Sequence, residues 1–508
     1  MAHHTRMSPR SLGDMPADEF REEGRRLVEW LAEYFRWSLE NPVLSRVRPG
    51  AIRAELPATA PEEGEPFERI VADFERVLVP GLTQWNHPGY FAYFPCGFST
   101  PGALADLLST AVSQQAMLWR TSPAATELEE VALGWLRRAL GMPDVFEGVI
   151  YDTASTAVVH ALATARHEKA PEVRTRGLAG RGLPSFRVYC SEHAHSSVDK
   201  AVITLGLGHE NLRRIPADAE YRLRPDLLAA AVEEDRRAGR APLAVVATVG
   251  TTSVTSVDPV PAIADLCARH GLWLHVDAAY AGAAAILPEC RWAMEGVDRA
   301  DSFVVNPHKW MFTPFDLSAF YCRKMDLLRA AFGLTPEYLK TSEASEVRNL
   351  MDTGFQLGRR FRALKLWVVM RYFGLEGIRA RLREHLRLAR LFAEWVDQDP
   401  VFERVAPVPF SVVCFRAFPG RTDGQRRAGD GEGDGVAGRE ALNAFNERLL
   451  NALNDTGEFF LSHTVLGGRY VIRLAIGNIR TTEAEVRRCW ERIRELAGSL
   501  RVGPSKRD

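Results

Sequence analysis

Two short segments in the middle of the chain carry residue types suited to covalent chemistry. Residues 274–280 read LHVDAAY and contain Asp277, and residues 306–310 read NPHKW and contain Lys309. Asp277 follows an apolar run, so we expect it at the carboxyl end of a buried strand, where open α/β sheets place their ligands. A carboxylate at such a place needs a cationic partner. A partly desolvated lysine amine loses its proton more easily and becomes a nucleophile.

A pyridoxal phosphate site needs both of these groups. The Asp277 carboxylate would pair with the protonated pyridine nitrogen and keep the ring an electron sink for a carbanion at the substrate Cα, while Lys309 would form the Schiff base. Taken alone, an aspartate after an apolar run or a lysine in a loop is more often structural or solvated. The residue types by themselves therefore leave both interpretations open.

Both segments resemble those of the group II pyridoxal-dependent decarboxylases of the aromatic amino acid type. The resemblance implies an α/β protein with fold type I, in which a mainly parallel seven-stranded sheet forms the large domain. It also implies pyridoxal 5'-phosphate as the cofactor, and a homodimer with a shared active site. Matching segments follow one another in the family's order over roughly residues 15 to 500: 85–95, 122–129, 194–197, 357–362 and the final helix.

The residues around the lysine separate branches of this family. Histidine decarboxylases tend to have Ser at the position of His308, whereas glutamate decarboxylases usually have Trp at Tyr280 and Met at Trp310. The resemblance therefore implies a carboxy-lyase that converts aromatic L-amino acids (tryptophan, phenylalanine, tyrosine or hydroxylated forms) to arylalkylamines and carbon dioxide. An aromatic aldehyde synthase, or a decarboxylase of histidine or glutamate, remains the alternative on the same scaffold.

A candidate phosphate cradle lies at residues 152–156, DTAST, after a predicted strand and before an apolar helix. Amides at a helix start bind phosphate, although a plain N-cap is the commoner role of such a cluster. An anionic Asp152 would repel phosphate, so we expect its side chain to turn away or cap the helix. The resemblance implies these cofactor contacts: Ala154, Ser155, His195, Thr252, Asp277, Ala279, Asn306, His308 and Lys309.

The resemblance also implies that His195 and Tyr338 act in catalysis beside Lys309 and Asp277. His195 stands where the family stacks an imidazole on the cofactor ring, whereas a histidine in an arbitrary loop is usually only hydrogen-bonded. Tyr338 matches the tyrosine of the family's mobile loop, where a positioned acid protonates Cα away from water. Relatives with Phe at that position tend to be aldehyde synthases, so Tyr338 favours amine production; its alternative role is a surface aromatic.

Eight positions match the family's substrate pocket, although an aromatic run is more often part of a core. Gln115 and Met117 depart from animal relatives, which often carry Ile and Phe there, contributed across the dimer interface. Gly358 leaves room for an indole, so we expect tryptophan first, with phenylalanine, tyrosine and their hydroxylated forms close behind. The implied pocket consists of Trp85, Tyr93, Phe94, Pro95, Cys96, Gln115, Met117 and Gly358.

Composition excludes several other classes of protein. The 64 basic and 65 acidic side chains lack the basic footprint of a nucleic-acid binder. No apolar stretch reaches the roughly 18 residues of a membrane span, and no signal-peptide core follows Met1, which predicts a cytoplasmic protein. The seven cysteines are scattered without CxxC spacing, so we expect neither a disulfide framework nor a metal site.

Apolar spacing predicts the elements that position these residues. Residues 15–38 form one amphipathic helix; family members wrap this region around a second subunit, and packing on its own domain is the alternative. Short apolar strands alternate with helical stretches up to about residue 370, a pattern typical of a parallel sheet. The predicted strands are 148–150, 243–247, 409–416 and 469–475, and the predicted helices include 225–239 and 259–269.

We expect three regions in the chain. Residues 1–84 would form an N-terminal helical dimerisation segment, residues 85–375 the cofactor-binding large domain, and residues 376–508 a small C-terminal α+β domain. Within the last region, residues 420–438 are rich in Gly, Asp and Arg and nearly free of large apolar side chains. Such a composition cannot build a core, so it predicts a mobile insertion without a site.

Overall fold

The computed structural model describes residues 13–334, 346–419 and 436–501. Three helices open it: α1 (Ala17–Trp37), α2 (Ala51–Glu55) and α3 (Phe67–Asp73). The predicted helix over residues 15–38 is thus confirmed as α1. None of its residues is buried within the chain, and its apolar side chains Phe20, Val28 and Leu31 are exposed.

A seven-stranded sheet follows: β1 (Glu147–Tyr151), β2 (Phe186–Ser191), β3 (Leu212–Ile215), β4 (Ala241–Thr248), β5 (Trp273–Asp277), β6 (Ser302–Val305) and β7 (Ser318–Cys322). The strands lie in the order β1-β7-β6-β5-β4-β2-β3. All neighbours are parallel except β7, which runs antiparallel to both β1 and β6. The predicted mainly parallel seven-stranded sheet is confirmed.

β4 and β5 are apolar along nearly their whole length, so both faces of the sheet must be shielded from water. Helices cover both faces. Alternate residues of β4 enter different cores, so that Val245 packs into one hydrophobic cluster and Val246 into the other. The helices are α4 (Thr100–Ala111), α5 (Pro123–Ala139), α6 (Ala154–Lys169), α7 (Val173–Arg176), α8 (Ser197–Thr204), α9 (Pro225–Arg237), α10 (Val260–His270), α11 (Pro307–Trp310) and α12 (Met325–Phe332).

A long helix, α13 (Ala363–Gln398), leads to a second sheet and bends at Gly374, whose φ is 61°. The remaining elements are β8 (Phe402–Arg404), β9 (Val412–Ala417), α14 (Val436–Asp455), β10 (Ser462–Leu466), β11 (Arg469–Ala475) and α15 (Glu483–Arg501). The four strands form an antiparallel sheet in the order β10-β11-β9-β8.

Two details of the C-terminal prediction differ from the structure. The strand predicted from residue 409 begins only at Val412, after a segment that contains Pro407 and Pro409; proline lacks the N–H that a sheet needs. The predicted insertion 420–438 lies mostly outside the described residues, but residues 436–438 belong to α14. Within the described ranges, no helix is long and apolar enough to cross a membrane.

Candidate active site

Asp277 ends β5 in the middle of the large sheet, paired in register with Thr248 of β4. Its side chain is buried. The amide of Ala279 donates to Oδ1 at 3.1 Å, which orients the carboxylate. Oδ2 has no hydrogen-bond partner among the described residues, so it can receive a proton donor from a bound molecule.

Lys309 lies in the short helix α11, which begins directly after β6 with Asn306 as its N-cap and Pro307 at its first position, where a missing N–H costs nothing. The Lys309 Nζ atom lies 5.2 Å from the centre of the Phe94 ring. Burial lowers the pKa of this amine; the Asp277 carboxylate opposes that shift, and the Arg473 guanidinium adds to it. A lysine with a lowered pKa is a better nucleophile.

His195 stands in the loop between β2 and α8. Its Nδ1 accepts the Ser197 amide hydrogen at 3.1 Å, so the proton of the neutral ring lies on Nε2. Burial lowers the pKa of His195, and the charges of Asp277 and Lys309 act on the same ring with opposite signs. The structure therefore brings His195, Asp277 and Lys309 within electrostatic reach of one another.

The start of α6 has free hydrogen-bond donors. Thr153 is the N-cap, and its side chain accepts the Thr156 amide at 3.5 Å. Asp152 Oδ1 accepts the amide of Thr153 at 2.6 Å, so Asp152 does not itself cap the helix. The amides of Ala154 and Ser155 have no acceptor among the described residues. Two free N–H groups at the positive end of a 16-residue helix suit a phosphate.

Asn306 and His308 are both buried at α11, the short helix that carries Lys309. Asn306 Oδ1 accepts a hydrogen bond from the Ser318 hydroxyl at 2.6 Å. The side-chain nitrogen of Asn306, Nδ2, has no acceptor among the described residues. His308 Nδ1 accepts the Leu317 amide at 2.9 Å. Burial, with the neighbouring Lys309 charge, lowers the pKa of His308 to about 3, so this ring is neutral and carries its proton on Nε2.

Ala279 and Thr252 flank the end of β5 in different ways. Ala279 is buried and follows Asp277 by two residues. Thr252 is exposed in the loop that follows β4. That loop turns at Gly250, whose φ is +88° and where a Cβ would lie 2.4 Å from the Ala281 side chain. Only glycine fits this turn, so the backbone before Thr252 is tightly fixed.

Three aromatic rings form a stack behind the lysine. Phe94 stacks on Tyr280 at 3.8 Å, and Tyr280 stacks on Trp310 at 4.8 Å. The segment that carries Phe94 also presses on α11, since the Gly97 amide donates to the His308 carbonyl at 2.5 Å. A Cβ on Gly97 would lie 2.8 Å from the Lys309 carbonyl oxygen. The segment that carries Phe94 is therefore held against α11, the short helix that carries Lys309.

The other residues of this predicted pocket segment lie around Phe94. Trp85 stacks on Tyr90 at 4.5 Å and on Tyr93 at 6.4 Å, and both Trp85 and Tyr93 are exposed. Burial raises the pKa of the Cys96 thiol, which the Lys309 charge partly offsets. Pro95 contacts the backbone at Gly477, where a Cβ would lie 3.4 Å from its ring.

Gln115, Met117 and Gly358 form a second cluster. Gln115 Oε1 accepts the Arg359 amide at 2.6 Å, and a Cβ on Gly358 would lie 3.1 Å from Gln115 Nε2. The Met117 carbonyl accepts the Met351 amide at 3.1 Å. In the described part of the chain, no hydrogen bond, ion pair or ring contact joins this cluster to Lys309, Asp277 or His195. Tyr338 lies outside the described residues.

Sequence reasoning missed Arg473 of β11. Its side chain is buried; Nε donates to the Ser253 carbonyl at 3.1 Å, and Nη1 donates to the Tyr93 carbonyl. Nη2 has neither solvent nor a partner, and the guanidinium carbon lies 4.6 Å from the Phe94 ring centre. A single arginine inside the apolar run YVIRLA was the available signal, because such a charge is rarely buried without a role.

This donor set fits a flat aromatic cofactor. The free Asp277 oxygen suits a protonated ring nitrogen, the Lys309 amine suits an aldehyde, and the helix amides of Ala154 and Ser155 suit a phosphate. Metal ligands form no comparable set: within residues 13–334, 346–419 and 436–501, no group of three or more His, Cys, Asp or Glu could hold an ion.

Comparison with known proteins adds evidence that is independent of the geometry of the site. The pyridoxal-dependent decarboxylase conserved domain matches residues 49–418. Phenylacetaldehyde synthase of Arabidopsis thaliana is 39% identical over 97% of this chain and 99% of its own length. Tryptophan decarboxylase 2 of Oryza sativa subsp. japonica is 38% identical over 96% of both chains. The crystal structure of Oryza sativa TDC with PLP and tryptamine superposes with a TM-score of 0.90, at 38% identity, over 96% of this chain and 100% of that one.

Proposed function

Because the chain belongs to the pyridoxal-dependent decarboxylase family, we propose that it decarboxylates aromatic L-amino acids. The reaction consumes the α-carboxylate and one proton, and releases carbon dioxide and an arylalkylamine. The observation that carries the proposal is that Lys309 lies beside the ring of Phe94 and interacts electrostatically with both Asp277 and His195. Relatives named for tryptophan and tyrosine as substrates support the aromatic class.

Pyridoxal phosphate, when bound, supplies an electron sink for the carbanion that forms at the substrate Cα. Lys309 would provide the amine that binds the cofactor aldehyde, and Asp277 Oδ2 would hold a proton on the ring nitrogen. Ala154 and Ser155 would donate their amides to the phosphate, with Asn306 and His308 as further donors. His195, Thr252 and Ala279 would complete the set of residues that hold the cofactor.

Arg473 is suited to hold the substrate carboxylate. Its unpartnered Nη2 is buried, and its charge acts on Lys309, so a carboxylate near Lys309 would satisfy a donor that otherwise lacks an acceptor. A carboxylate held by Arg473 would fix the torsion about Cα and thus the direction of the bond that breaks. The carboxylate then leaves as carbon dioxide, and the freed electron pair is later protonated at Cα.

The substrate side chain would lie against the aromatic segment that includes Trp85, Tyr93 and Phe94. Cys96 and Pro95 complete this wall. In the described residues no hydrogen bond, ion pair or ring contact joins this wall to Gln115, Met117 or Gly358, so we place these three at the same pocket from the partner subunit. Tyr338 is the proposed proton donor to Cα.

We infer a homodimer from this arrangement. The helix α1 buries none of its residues, and Phe20 is 60% exposed. The α4 face with Leu104, Leu107 and Leu108 is also exposed. Contiguous apolar faces of this kind mark protein interfaces. Analytical ultracentrifugation should show a dimer. Mixing Lys309→Ala subunits with Gly358→Ala subunits should give more tryptophan turnover than either variant alone if each pocket is shared.

We further place the protein in the cytoplasm. All seven cysteines are free in the described residues, and six of them are buried. Free thiols without disulfides suit a reducing compartment. Fractionation of cells that express the protein at native level should recover it with cytoplasmic markers.

A second candidate activity is aromatic aldehyde synthesis, since phenylacetaldehyde synthase is among the similar relatives. That reaction consumes dioxygen and water and releases ammonia and hydrogen peroxide together with the aldehyde and carbon dioxide. The deciding experiment incubates the holoenzyme separately with tryptophan, tyrosine, phenylalanine, dihydroxyphenylalanine, histidine and glutamate. Amines without stoichiometric ammonia support the decarboxylase, whereas aldehyde with ammonia, or turnover of histidine or glutamate alone, rejects it.

A further inference from the structure

His385 of α13 is a buried histidine with a partner at each ring nitrogen. Trp310 Nε1 donates to Nδ1 at 2.9 Å, and Nε2 lies 3.0 Å from the Asn478 carbonyl oxygen. An indole nitrogen can only donate and a carbonyl can only accept. His385 must therefore accept at Nδ1 and donate at Nε2, which fixes one neutral tautomer. Burial also lowers its pKa to about 4, in agreement with a neutral ring.

The Nδ1 side of His385 contacts α11, the short helix that carries Lys309. Trp310 follows Lys309 directly in α11, and its ring is nearly parallel to that of His385, at an interplanar angle of 5°. The same indole stacks on Tyr280, which stacks on Phe94, the ring beside Lys309 Nζ. The hydrogen bond to His385 thus fixes the indole within its own plane, a direction that stacking alone leaves free.

The other side of His385 reaches the proposed substrate wall. The Asn478 carbonyl accepts the His385 proton, while its side-chain amide donates to the carbonyls of Trp85 at 3.2 Å and His87 at 3.0 Å. The Asn478 side-chain oxygen accepts the Arg480 amide at 2.9 Å. The carbonyl, the side-chain nitrogen and the side-chain oxygen of Asn478 thus all have hydrogen-bond partners. A shift of the Asn478 carbonyl would therefore also move the backbone at Trp85.

We propose that His385 is a positioning residue that keeps α11, which carries Lys309, at a fixed distance from the aromatic segment that carries Trp85. It links three parts of the chain: α11 through Trp310, the loop after β11 through Asn478, and the N-terminal segment through Trp85. The proposal rests on the proposed roles of Lys309 and Trp85. It requires an acceptor and a donor on one rigid ring, a combination that histidine supplies and asparagine or glutamine supplies only in part.

Two substitutions separate the two sides. In His385→Asn, the side-chain oxygen lies near the position of Nδ1 and can still accept from Trp310, while the link to Asn478 is lost. In His385→Gln, the longer side chain can still donate to Asn478, while the acceptor for Trp310 is lost. Trp310→Phe removes the same hydrogen bond from the other partner and keeps an aromatic ring on Tyr280.

The experiment compares the purified holoenzymes by three readouts. They are the absorbance of the lysine-bound cofactor as a function of pH, the NMR signal of the Trp310 indole N–H, and kcat and KM for tryptophan. In His385→Gln and Trp310→Phe, we expect a shifted absorbance titration and a kcat about tenfold lower, because small displacements of a reacting group are costly. In His385→Asn, we expect an unchanged titration and a KM about tenfold higher.

The double variant His385→Gln with Trp310→Phe should lose no more kcat than either single variant, because both remove one hydrogen bond. His463→Gln is the matched control, since His463 is exposed and stacks only on Tyr470 among the described aromatic residues. It should leave all readouts unchanged.

Three results would overturn the proposal. The first is an unchanged titration, kcat and KM in all three single variants. The second is a parallel loss of kcat with the folded fraction, while the remaining holoenzyme keeps the wild-type titration, which indicates a purely structural role. The third is strict additivity in the double variant. The wild-type enzyme is tested first: absence of a lysine-bound cofactor or of aromatic turnover would reject the proposed function itself, independently of the His385 variants.

Discussion

The Nζ atom of Lys309 lies 5.2 Å from the centre of the Phe94 ring. An aromatic face attracts a cation, yet the pKa of Lys309 is lowered, chiefly by burial. Arg473 lies over the same ring at 4.6 Å and repels a second positive charge. Desolvation and this repulsion outweigh both the ring and the Asp277 carboxylate, so the amine is prepared to react as a nucleophile.

Removal of the lysine tests this assignment directly. Lys309→Ala should abolish the absorbance of the lysine-bound cofactor and lower kcat by about a thousandfold or more, since no other amine is placed to replace it. Spectroscopy and amine release measure the two effects. Lys169→Ala, at an exposed lysine of α6, is the control and should behave as wild type. A Lys309→Ala protein with an unchanged spectrum contradicts the assignment.

Arg473→Gln should have two separable effects. Loss of the guanidinium removes the proposed carboxylate partner, so KM for aromatic amino acids should rise about tenfold, as expected when a charge-assisted hydrogen bond is lost. Because the Arg473 charge lowers the pKa of Lys309, its removal should also raise that pKa. The pH at which the apoenzyme binds the cofactor fastest should then move upward.

The control for this variant is Arg469→Gln in the same strand. Arg469 contacts the Leu466 carbonyl and Tyr221 and has no proposed role. If KM and the pH profile change equally in both variants, the effect of Arg473 is general and its proposed contact with the carboxylate is wrong.

Local patterns predicted the elements well where one physical cause dominated. The strand at 469–475 and the helix at 225–239 carry continuous periodicity, and the structure has them at Arg469–Ala475 and Pro225–Arg237. At the start of α6, Thr153 rather than Asp152 is the N-cap, and Asp152 accepts the amide of the next residue, a contact between neighbours in sequence. These features depend on neighbours in sequence.

Features that depend on distant contacts escaped prediction. Arg473 joins the Phe94 region only because β11 of the second sheet packs near the aromatic segment, which lies 380 residues earlier in sequence. His385 meets Trp310 from a separation of 75 residues. No spacing rule connects such positions, since tertiary packing alone sets their distance. The hydrogen bond between Gln115 and Arg359 also joins residues that lie far apart in sequence, so tertiary packing alone sets it.

Gly358→Ala tests the proposed indole pocket. A Cβ at this position would lie 3.1 Å from Gln115 Nε2, which crowds the cluster. If Gly358 gives room to an indole, kcat/KM for tryptophan should fall about tenfold or more, while phenylalanine should lose much less, since one methyl group in a pocket is worth about 1–3 kcal/mol. Competition between the two substrates measures this ratio. Equal losses for both would place Gly358 outside the side-chain pocket.

Tyr338→Phe tests the proton donor. Loss of the hydroxyl should lower amine yield by about tenfold or more and raise aldehyde and ammonia, because protonation at Cα slows and dioxygen can react instead. Mass spectrometry and an ammonia assay quantify the products. Tyr372→Phe removes the same hydroxyl from an exposed tyrosine of α13 and should not alter the product ratio. Unchanged products in Tyr338→Phe would assign protonation to another group.

His275 predicts a pH dependence of stability. Burial lowers its pKa from 6.5 to about 4, and its Nε2 has no partner among the described residues. The unfolded chain therefore binds a proton that the native ring refuses, so stability is complete above about pH 6.5 and falls as the pH drops toward 4. At about pH 5 this one histidine should cost about 2 kcal/mol of unfolding free energy.

His275→Phe keeps an aromatic ring of similar size but cannot bind a proton. Its unfolding free energy, measured in urea near neutral pH and at about pH 5, should fall by about 2 kcal/mol less between the two conditions than that of the wild type. His463→Phe, at an exposed site, should retain the wild-type difference. A His275→Phe protein with the full wild-type loss would show that this ring is already protonated in the native state at about pH 5.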